Sequence, residues 1–217
     1  MNKKMKNENK KLFVSNTQTM RIFNNKFLEG ITTTYHYLPF LIFTPIVLYF
    51  FYESILFVYD GSIETPSLIM PLFFGALLLW TLIEYTCHRF LFHFNSKTKI
   101  GKKLLYIMHG AHHDYPNDLK RVVVPPIVSL GGAAFFYMLA YFILGRYYSA
   151  PFIFSLFSFY MIYDWFHYAS HHVNVKNKYY NHIKKAHLFH HYKDPKKGYG
   201  FITTFWDILL NTNFKDI

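Results

Sequence analysis

Histidine is the residue type whose placement in this chain most clearly suggests chemistry. Ten of the 13 histidines fall in four clusters that are well separated along the sequence. The clusters are His88 and His93; His109, His112 and His113; His167 and His171; and His187, His190 and His191. Because neutral imidazole is a common ligand of transition metals, these clusters predict metal binding if the fold brings them together.

The spacing within the clusters is typical of ligands on one helix face. Two segments, which begin at His109 and His187, read H-x-x-H-H. Positions i, i+3 and i+4 share a face, so the three imidazoles of each segment can converge. The third cluster is spaced i, i+4 as well. The first is spaced by five residues, so its members would flank a straight helix, or the helix would break near residues 90–92.

Ten imidazoles are more than one metal ion needs. A structural zinc ion takes four protein ligands and a catalytic one takes three, so the set predicts two ions. Spacing alone leaves the metal open, since imidazole suits zinc, copper, iron and nickel. A zinc pair would point to hydrolysis. Neutral ligands within reach of lipid tails favour oxygen chemistry on an inert C–H bond, and therefore iron.

Two carboxylates are placed to accept a hydrogen bond from the ring nitrogen that a metal-bound imidazole does not use for the metal. Glu84 lies four residues before the histidine at 88, and Asp164 lies three before the histidine at 167. Metal-bound histidines usually donate their second N–H to a carboxylate or carbonyl, so we expect both to accept such bonds. Ordinary roles are expected for the other candidates: surface or packed histidines at His36, His172 and His182, packing for Cys87, and surface or capping roles for Asp114 and Asp118.

Four apolar runs without acidic or basic residues predict the fold class. Each approaches the length of a membrane-spanning helix, and they cover 35–52, 67–83, 122–145 and 147–163. A helix of a soluble protein normally has a polar stripe, which these runs lack. We therefore predict an all-α protein with four transmembrane helices and a cytosolic helical cap that holds a histidine-rich dimetal site.

The basic residues predict the orientation. Of 23 Lys and Arg residues, 7 precede the first run, 7 lie in residues 89–121 and 8 follow the fourth run. Basic residues favour the cytosolic side of a membrane, so both termini and the central loop are expected there. The net charge of +11 is then a basic face for anionic lipid or an acidic partner protein, and nucleic acid is not expected.

The chain is expected to hold one folded domain. Residues 1–17 are rich in lysine and asparagine and predict a disordered basic tail, and residues 18–217 form the membrane domain. No cleaved signal peptide is indicated. Apolar residues at helical spacing from Met20 to Leu28 indicate either a short helix lying on the membrane or a plain linker.

Four sequence blocks resemble the fatty acid 2-hydroxylases, within the fatty acid hydroxylase and sterol desaturase superfamily. They are EYTCHRFLFH at 84–93; HGAHH at 109–113 with P-x-D-x-x-R and a double proline at 116–126; YDWFHY with a further histidine at 163–171; and KAHLFHH with GYGF and FWD at 185–207. The resemblance runs from about residue 20 to 213. The P-x-D-x-x-R block favours the 2-hydroxylase branch over the rest of the superfamily.

The resemblance implies a membrane enzyme whose ten clustered histidines hold two iron ions, with zinc as an occupant in a purified or crystallised form. It implies hydroxylation at C2 of long-chain fatty acids or sphingolipid acyl chains, with O2, two electrons and no catalytic residue beyond the metal ligands. Some family members carry a fused cytochrome b5 domain. This sequence has none, so a separate cytochrome b5-like or ferredoxin-like donor is expected. His172, where the family pattern varies, is an additional candidate ligand or hydrogen-bond partner.

Other functions remain open at this stage. Sterol methyl oxidation, sphingoid C4-hydroxylation, carotenoid hydroxylation and desaturation would use the same histidine cage. A zinc-dependent membrane hydrolase and a metal transporter are alternatives from other classes. The transporter would need ionisable residues along the bilayer midplane, which the four runs do not offer. The short chain without a fused domain favours a bacterial inner membrane over the endoplasmic reticulum.

Overall fold

A computed structural model describes residues 19–215 of the chain. The predicted disordered tail at 1–17 lies outside the described residues. Within the described part every regular element is helical and none is a strand, which confirms the all-α prediction.

The first helix, α1 (Lys26–Thr32), is short. The side chain of Asn25 caps it by accepting hydrogen bonds from the backbone N–H groups of Phe27 and Leu28. The helix presents apolar side chains to the outside, and Phe27 is 73% exposed. The spacing of apolar residues suggested a helix from Met20, but residues 19–25 are non-helical and the helix begins at Lys26.

Three helices are long and apolar enough to cross a membrane, and they make this a membrane protein. They are α2 (Leu38–Tyr59), α3 (Ile69–Thr86) and α6 (Pro126–His172). A 3-10 turn at Pro66–Leu68 precedes α3, and a π-helical turn at Cys87–Phe92 extends it. Their outer surfaces carry exposed Leu, Phe, Tyr and Ile side chains. Such a large apolar surface is what a lipid-facing helix presents and a soluble protein avoids.

Helix α6 is two arms that fold back on each other at Gly145. The backbone of Gly145 has φ 71° and ψ 174°, a conformation open to glycine but strained for other residues. The ring of Phe50 packs on Tyr137, 5.2 Å between centroids, and on Phe157, 6.4 Å away. A straight helix would separate Tyr137 from Phe157 by about 30 Å, so the arms run side by side in opposite directions.

The helix ends differ from the predicted apolar runs for identifiable reasons. The third run was predicted from residue 122, but the first arm begins at Pro126, whose fixed φ and missing N–H suit the first helical position. The second arm continues to His172, nine residues beyond the predicted end at 163. Polar and histidine-bearing residues in this extension are buried by the rest of the fold, so apolar composition could not mark the end.

The smaller helices gather at the end of the bundle where α3 and α6 finish. They are α4 (Lys99–Leu105), a π-helical turn at Tyr106–Gly110, α5 (Ala111–Asp114), α7 (Lys178–Tyr192) and α8 (Phe205–Leu209). Side-chain caps start two of them: Thr98 accepts from the Gly101 amide, and Asn177 accepts from the Tyr180 amide. These helices, with the ends of α3 and α6, carry the clustered histidines.

Candidate metal centre

All ten clustered histidines come together in the fold. They form two groups of five, in each of which one ring nitrogen per residue lies within 4.8 Å of the others. The first pentad is His88, His93, His109, His113 and His190. The second pentad is His112, His167, His171, His187 and His191. Four histidine clusters that are distant in sequence thus converge on two points.

A π-helical turn explains the unusual spacing of the first cluster. The backbone N–H of His93 donates to the carbonyl of His88 at 3.2 Å, an i to i+5 bond. The wider turn brings residues five apart onto one face, which a regular α-helix does not. Both imidazoles therefore point into the first pentad. Of the two alternatives, neither a straight helix nor a break near residues 90–92 is observed, because residues 87–92 form this π-helical turn.

Each H-x-x-H-H segment serves both pentads. In the segment at 109–113 the outer two histidines enter the first pentad and His112 enters the second. In the segment at 187–191 the outer two enter the second pentad and His190 enters the first. The three imidazoles share a face, as the spacing predicts, but they do not converge on a single point. The two segments exchange one histidine each.

The distances between ring nitrogens match those of ligands around one ion. Seven Nε2···Nε2 separations within the pentads lie between 2.6 and 3.3 Å. Nitrogens about 2.0–2.1 Å from a common metal ion are about 2.9–3.4 Å apart when the angle at the metal is between 90° and tetrahedral. The side chains are thus already arranged as a metal would hold them.

Backbone carbonyls fix the tautomers of two rings in the first pentad. Nδ1 of His88 lies 2.7 Å from the carbonyl oxygen of Tyr199, and Nδ1 of His190 lies 2.7 Å from that of Lys197. A carbonyl only accepts, so both Nδ1 atoms donate, and the Nε2 atom of each neutral ring turns its lone pair toward the pentad. Lone pairs that face each other repel, and a cation between them removes that repulsion.

Burial keeps these imidazoles neutral. It lowers the pKa of His93 to about 4, that of His113 to about 2 and that of His190 to about 3. A neutral imidazole is the form that binds a metal. In the second pentad, both ring nitrogens of His191 are buried without a hydrogen-bond partner among residues 19–215. A coordinated ion would give one of these two nitrogens a partner. The donor set therefore fits metal ions in both pentads.

The comparisons with known proteins match this region. The model of the family described as fatty acid hydroxylase matches residues 73–212. The chain belongs to the fatty acid hydroxylase family. The resemblance found in the sequence is thereby confirmed, and the matched residues include every histidine of both pentads.

Two similar curated proteins and one solved structure extend the match. The ceramide very long chain fatty acid hydroxylase scs7 of Schizosaccharomyces pombe is 37% identical over 88% of this chain and 54% of its own length. A dihydroceramide fatty acyl 2-hydroxylase of Arabidopsis thaliana is 35% identical over 88% of this chain and 79% of its own. A structure of full-length scs7p, with only the hydroxylase domain visible, superposes with TM-score 0.77 at 34% identity, covering 88% of this chain and 71% of that one.

The side chains predicted to support the ligands are placed differently in this fatty acid hydroxylase family member. Glu84 accepts hydrogen bonds from the backbone N–H groups of Phe201 and Ile202, and no imidazole among the described residues. Asp164 is fully buried, and neither of its carboxylate oxygens has a hydrogen-bond partner within residues 19–215. His172 stacks on Tyr168 with centroids 5.0 Å apart and belongs to neither pentad.

The remaining histidines and the cysteine lie outside the pentads. His36 stacks on Tyr168 at 4.1 Å, and His182 approaches the Thr204 hydroxyl at 3.4 Å. Cys87 is partly buried and lines an apolar cavity. Their predicted ordinary roles agree with these placements.

A loop after α7 contributes contacts that the sequence did not reveal. It runs from 197 to 202, supplies the two carbonyls that fix His88 and His190, and is held by Asp207. This carboxylate accepts from the N–H groups of Tyr199 and Gly200, each at 2.9 Å. A Cβ at Gly200 would lie 2.1 Å from the Thr203 carbonyl oxygen, so the position requires glycine. The G-Y-G run was the only sequence signal, because a backbone carbonyl that accepts a hydrogen bond can belong to any residue type.

The P-x-D-x-x-R block holds the segment before α1. Asp118 accepts from the Met20 amide at 2.9 Å and from the Lys120 amide at 3.0 Å. Arg121 pairs with Glu29 at 2.5 Å and donates to the Met20 carbonyl at 3.0 Å. Asp118 caps a turn, which is one of the two roles expected from the sequence, and it is 1% exposed. Its burial is possible because two backbone donors satisfy it.

An apolar cavity of about 170 Å³ lies between α3 and the two arms of α6. No pentad histidine lines it, but two of its lining side chains contact imidazoles, one in each pentad. Phe92 lines it and stacks on His109 of the first pentad at 5.2 Å. Tyr163 also lines it, and its ring lies 6.0 Å from His167 of the second pentad. The rings of Phe92 and Tyr163 would therefore separate a lipid chain in this cavity from the nearest imidazoles.

Proposed function

We propose that this chain is a membrane hydroxylase that adds a hydroxyl group to C2 of a long acyl chain, either a free fatty acid or the acyl chain of a sphingolipid. The observation that carries the proposal is an apolar cavity that lies one aromatic ring away from each of two adjacent pentads of neutral imidazoles. Family membership supports the reaction class, and the names of both relatives describe enzymes that hydroxylate acyl chains.

We infer that the ten histidines hold two iron ions in the active protein. When bound, an iron pair would supply the activation of O2 that an inert C–H bond requires. Zinc favours the same imidazole donors, so zinc is expected in protein purified without added iron. The separate pentads support a count of two ions.

The chain itself contributes binding, orientation and exclusion of water. Phe43, Ile83 and Leu156 are among the apolar side chains that line the cavity. Burial of methylene groups against them would bind the acyl chain, at about 0.8 kcal/mol per CH2. Holding C2 at a fixed distance from the pentads converts a collision into a positioned reaction. No further side chain has to transfer a proton to carbon, so we keep the catalytic set to the metal ligands.

The reaction needs two electrons from outside the acyl chain. The C–H bond is oxidised to C–OH, while the second oxygen atom of O2 takes two electrons and two protons and leaves as water. We propose a cytochrome b5-like or ferredoxin-like donor. Exposed lysines at 97, 99 and 102 lie between the first two histidine clusters. Such a basic face attracts an acidic carrier and speeds its encounter.

We propose that the chain crosses the membrane four times. The first arm of α6, residues 126–144, is about 28 Å long at 1.5 Å per residue, close to the roughly 30 Å of a hydrocarbon core. The reversal at Gly145 then returns the chain to the starting side. With α2 and α3 as the other pair, both pentads and both termini face the side that the basic residues mark as cytosolic. The eukaryotic relatives favour the endoplasmic reticulum over a bacterial inner membrane.

The test is a lipid profile of a host that expresses the wild-type chain, a His112→Ala variant or a His182→Ala control. His112 is a buried member of the second pentad, whereas His182 lies outside both. We expect 2-hydroxy fatty acids with the wild type and the control, and none with His112→Ala. Equal product from His112→Ala would contradict the site, and a different oxidised lipid would move the proposal to another reaction of the superfamily. Product formed without O2 would favour a hydrolase.

A further inference from the structure

The ring of Phe201 touches imidazoles from both pentads. Its centroid lies 5.1 Å from that of His88, in the first pentad, and the two planes are 20° apart. It lies 4.5 Å from His167 and 4.4 Å from His187, both in the second pentad. Phe201 is 1% exposed, so its ring is buried between the two pentads and contacts both.

The same ring also faces the cavity wall. The rings of Phe201 and Tyr163 meet edge to face with centroids 5.3 Å apart. Tyr163 lines the apolar cavity at the end nearest His167. Phe201 therefore lies between Tyr163 of the cavity wall and the imidazoles of His167 and His187.

Carboxylates hold the backbone of Phe201 from both sides. Its own N–H and that of Ile202 donate to Glu84, which belongs to α3. The two preceding residues donate their N–H groups to Asp207 of α8. The carbonyl of Tyr199 in turn accepts from His88. The backbone that carries the ring is thus held by hydrogen bonds to two helices.

We propose that Phe201 is a positioning residue that orients the imidazoles of both pentads together and sets the depth at which the acyl chain stops. This inference rests on the proposed function for the acyl chain, while its effect on metal binding is independent of the reaction. Interiors are close-packed, and a lost ring leaves space into which neighbouring side chains rotate. Removing it should loosen His88, His167 and His187 at once, and a chain could then slide past its normal position.

The first test measures metal binding without turnover. Metal-free Phe201→Ala and wild-type protein are titrated with Co²⁺ and followed by absorption. The wild type is expected to bind two ions per chain. For Phe201→Ala we expect both affinities to fall about tenfold to a hundredfold, the cost of removing a group that orients a ligand. The control is Phe205→Ala, since Phe205 is 51% exposed four residues away. Unchanged affinity, or weakening at only one of the two sites, would overturn the proposal.

The second test measures which carbon is hydroxylated, and it uses Phe201→Leu. Leucine keeps much of the apolar volume, so this variant also serves for the titration if Phe201→Ala fails to fold. With iron, we expect wild type to give the 2-hydroxy product alone and Phe201→Leu to add 3-hydroxy product. A single unchanged product together with wild-type affinity would refute the positioning role. Failure of the proposed function would look different, since the wild type itself would then make no 2-hydroxy product.

Discussion

The imidazole rings of His113 and His191 stack with their centroids 4.2 Å apart and their planes 25° apart. His113 belongs to the first pentad and His191 to the second. The two candidate metal sites therefore share a wall of packed rings, so a ligand lost from one site changes the packing around the other.

This contact predicts that His191→Ala affects both sites. The second site should lose its ion, and the affinity of the first should fall about tenfold, because the ring that supports His113 is gone. Co²⁺ titration of the metal-free protein measures both effects.

His93→Ala is the matched variant for this prediction. Its ring contacts histidines of the first pentad and Tyr199, and no ring of the second pentad. We expect its effect to stay within the first site. A His191→Ala protein whose first site binds Co²⁺ like the wild type would show that the stacking carries no coupling.

The sequence was sufficient to predict that these ten histidines gather, and insufficient to predict how they divide. Helical spacing identifies side chains on one face, and His109, His112 and His113 do share a face. Their division between two pentads depends on which neighbouring helices supply the remaining ligands, which is a property of tertiary packing. The five-residue step from His88 to His93 needed a π-helical turn, a rare element with no reliable sequence mark.

The support around the ligands was harder to predict for a chemical reason. The carbonyls of Tyr199 and Lys197 orient two rings, and any residue type could have supplied them. The role of Glu84 was expected from its distance of four residues to a histidine, but its oxygens bond to backbone N–H groups more than 100 residues away. The helical spacing thus identified Glu84 as a supporting carboxylate, but it did not identify the groups that donate to it.

Glu84 gives a second prediction, which concerns stability. Glu84→Ala leaves the buried N–H groups of Phe201 and Ile202 without an acceptor, and we expect a loss of about 1–3 kcal/mol in the free energy of unfolding. Glu84→Gln retains a carbonyl oxygen and should lose less. Thermal unfolding in detergent micelles compares the two, with the exposed Glu64→Ala as control. Equal destabilisation by Gln and Ala would show that the negative charge matters more than the acceptor.

Arg121 gives a third prediction, which concerns the segment before α1. Arg121→Ala removes a buried partner of Glu29 and of the Met20 carbonyl. The free energy that holds this segment against the protein should fall by about 1–3 kcal/mol. The population of the detached segment should then rise about tenfold, since 1.4 kcal/mol corresponds to a factor of ten. Trypsin cleavage after Arg21 and Lys26 should accelerate accordingly.

The control for that experiment is Lys97→Ala, which removes an exposed basic residue from another surface. Its cleavage pattern at the N-terminal segment should match that of the wild type. If Arg121→Ala is cut no faster than this control, the buried ion pair does not hold the segment in place.

Gly132 gives the last prediction, which concerns the length of the acyl chain. Gly132 lines the cavity, and a Cβ placed on it would meet no atom within 4 Å. Gly132→Leu should therefore fill free space in the cavity without disturbing the helix, where leucine is favoured over glycine. The longest acyl chains should then be excluded, at about tenfold or more in relative rate for each methylene that no longer fits.

The neighbouring Gly131 provides a close control for the same substitution. It has the same open space at Cβ, but it is exposed on the outer face of the arm and does not line the cavity. The chain-length distribution of 2-hydroxy fatty acids, measured by mass spectrometry, should shift to shorter chains with Gly132→Leu and stay at the wild-type pattern with Gly131→Leu. The same distribution in all three proteins would mean that the acyl chain does not pass Gly132, and that the substrate enters the pentads by another path.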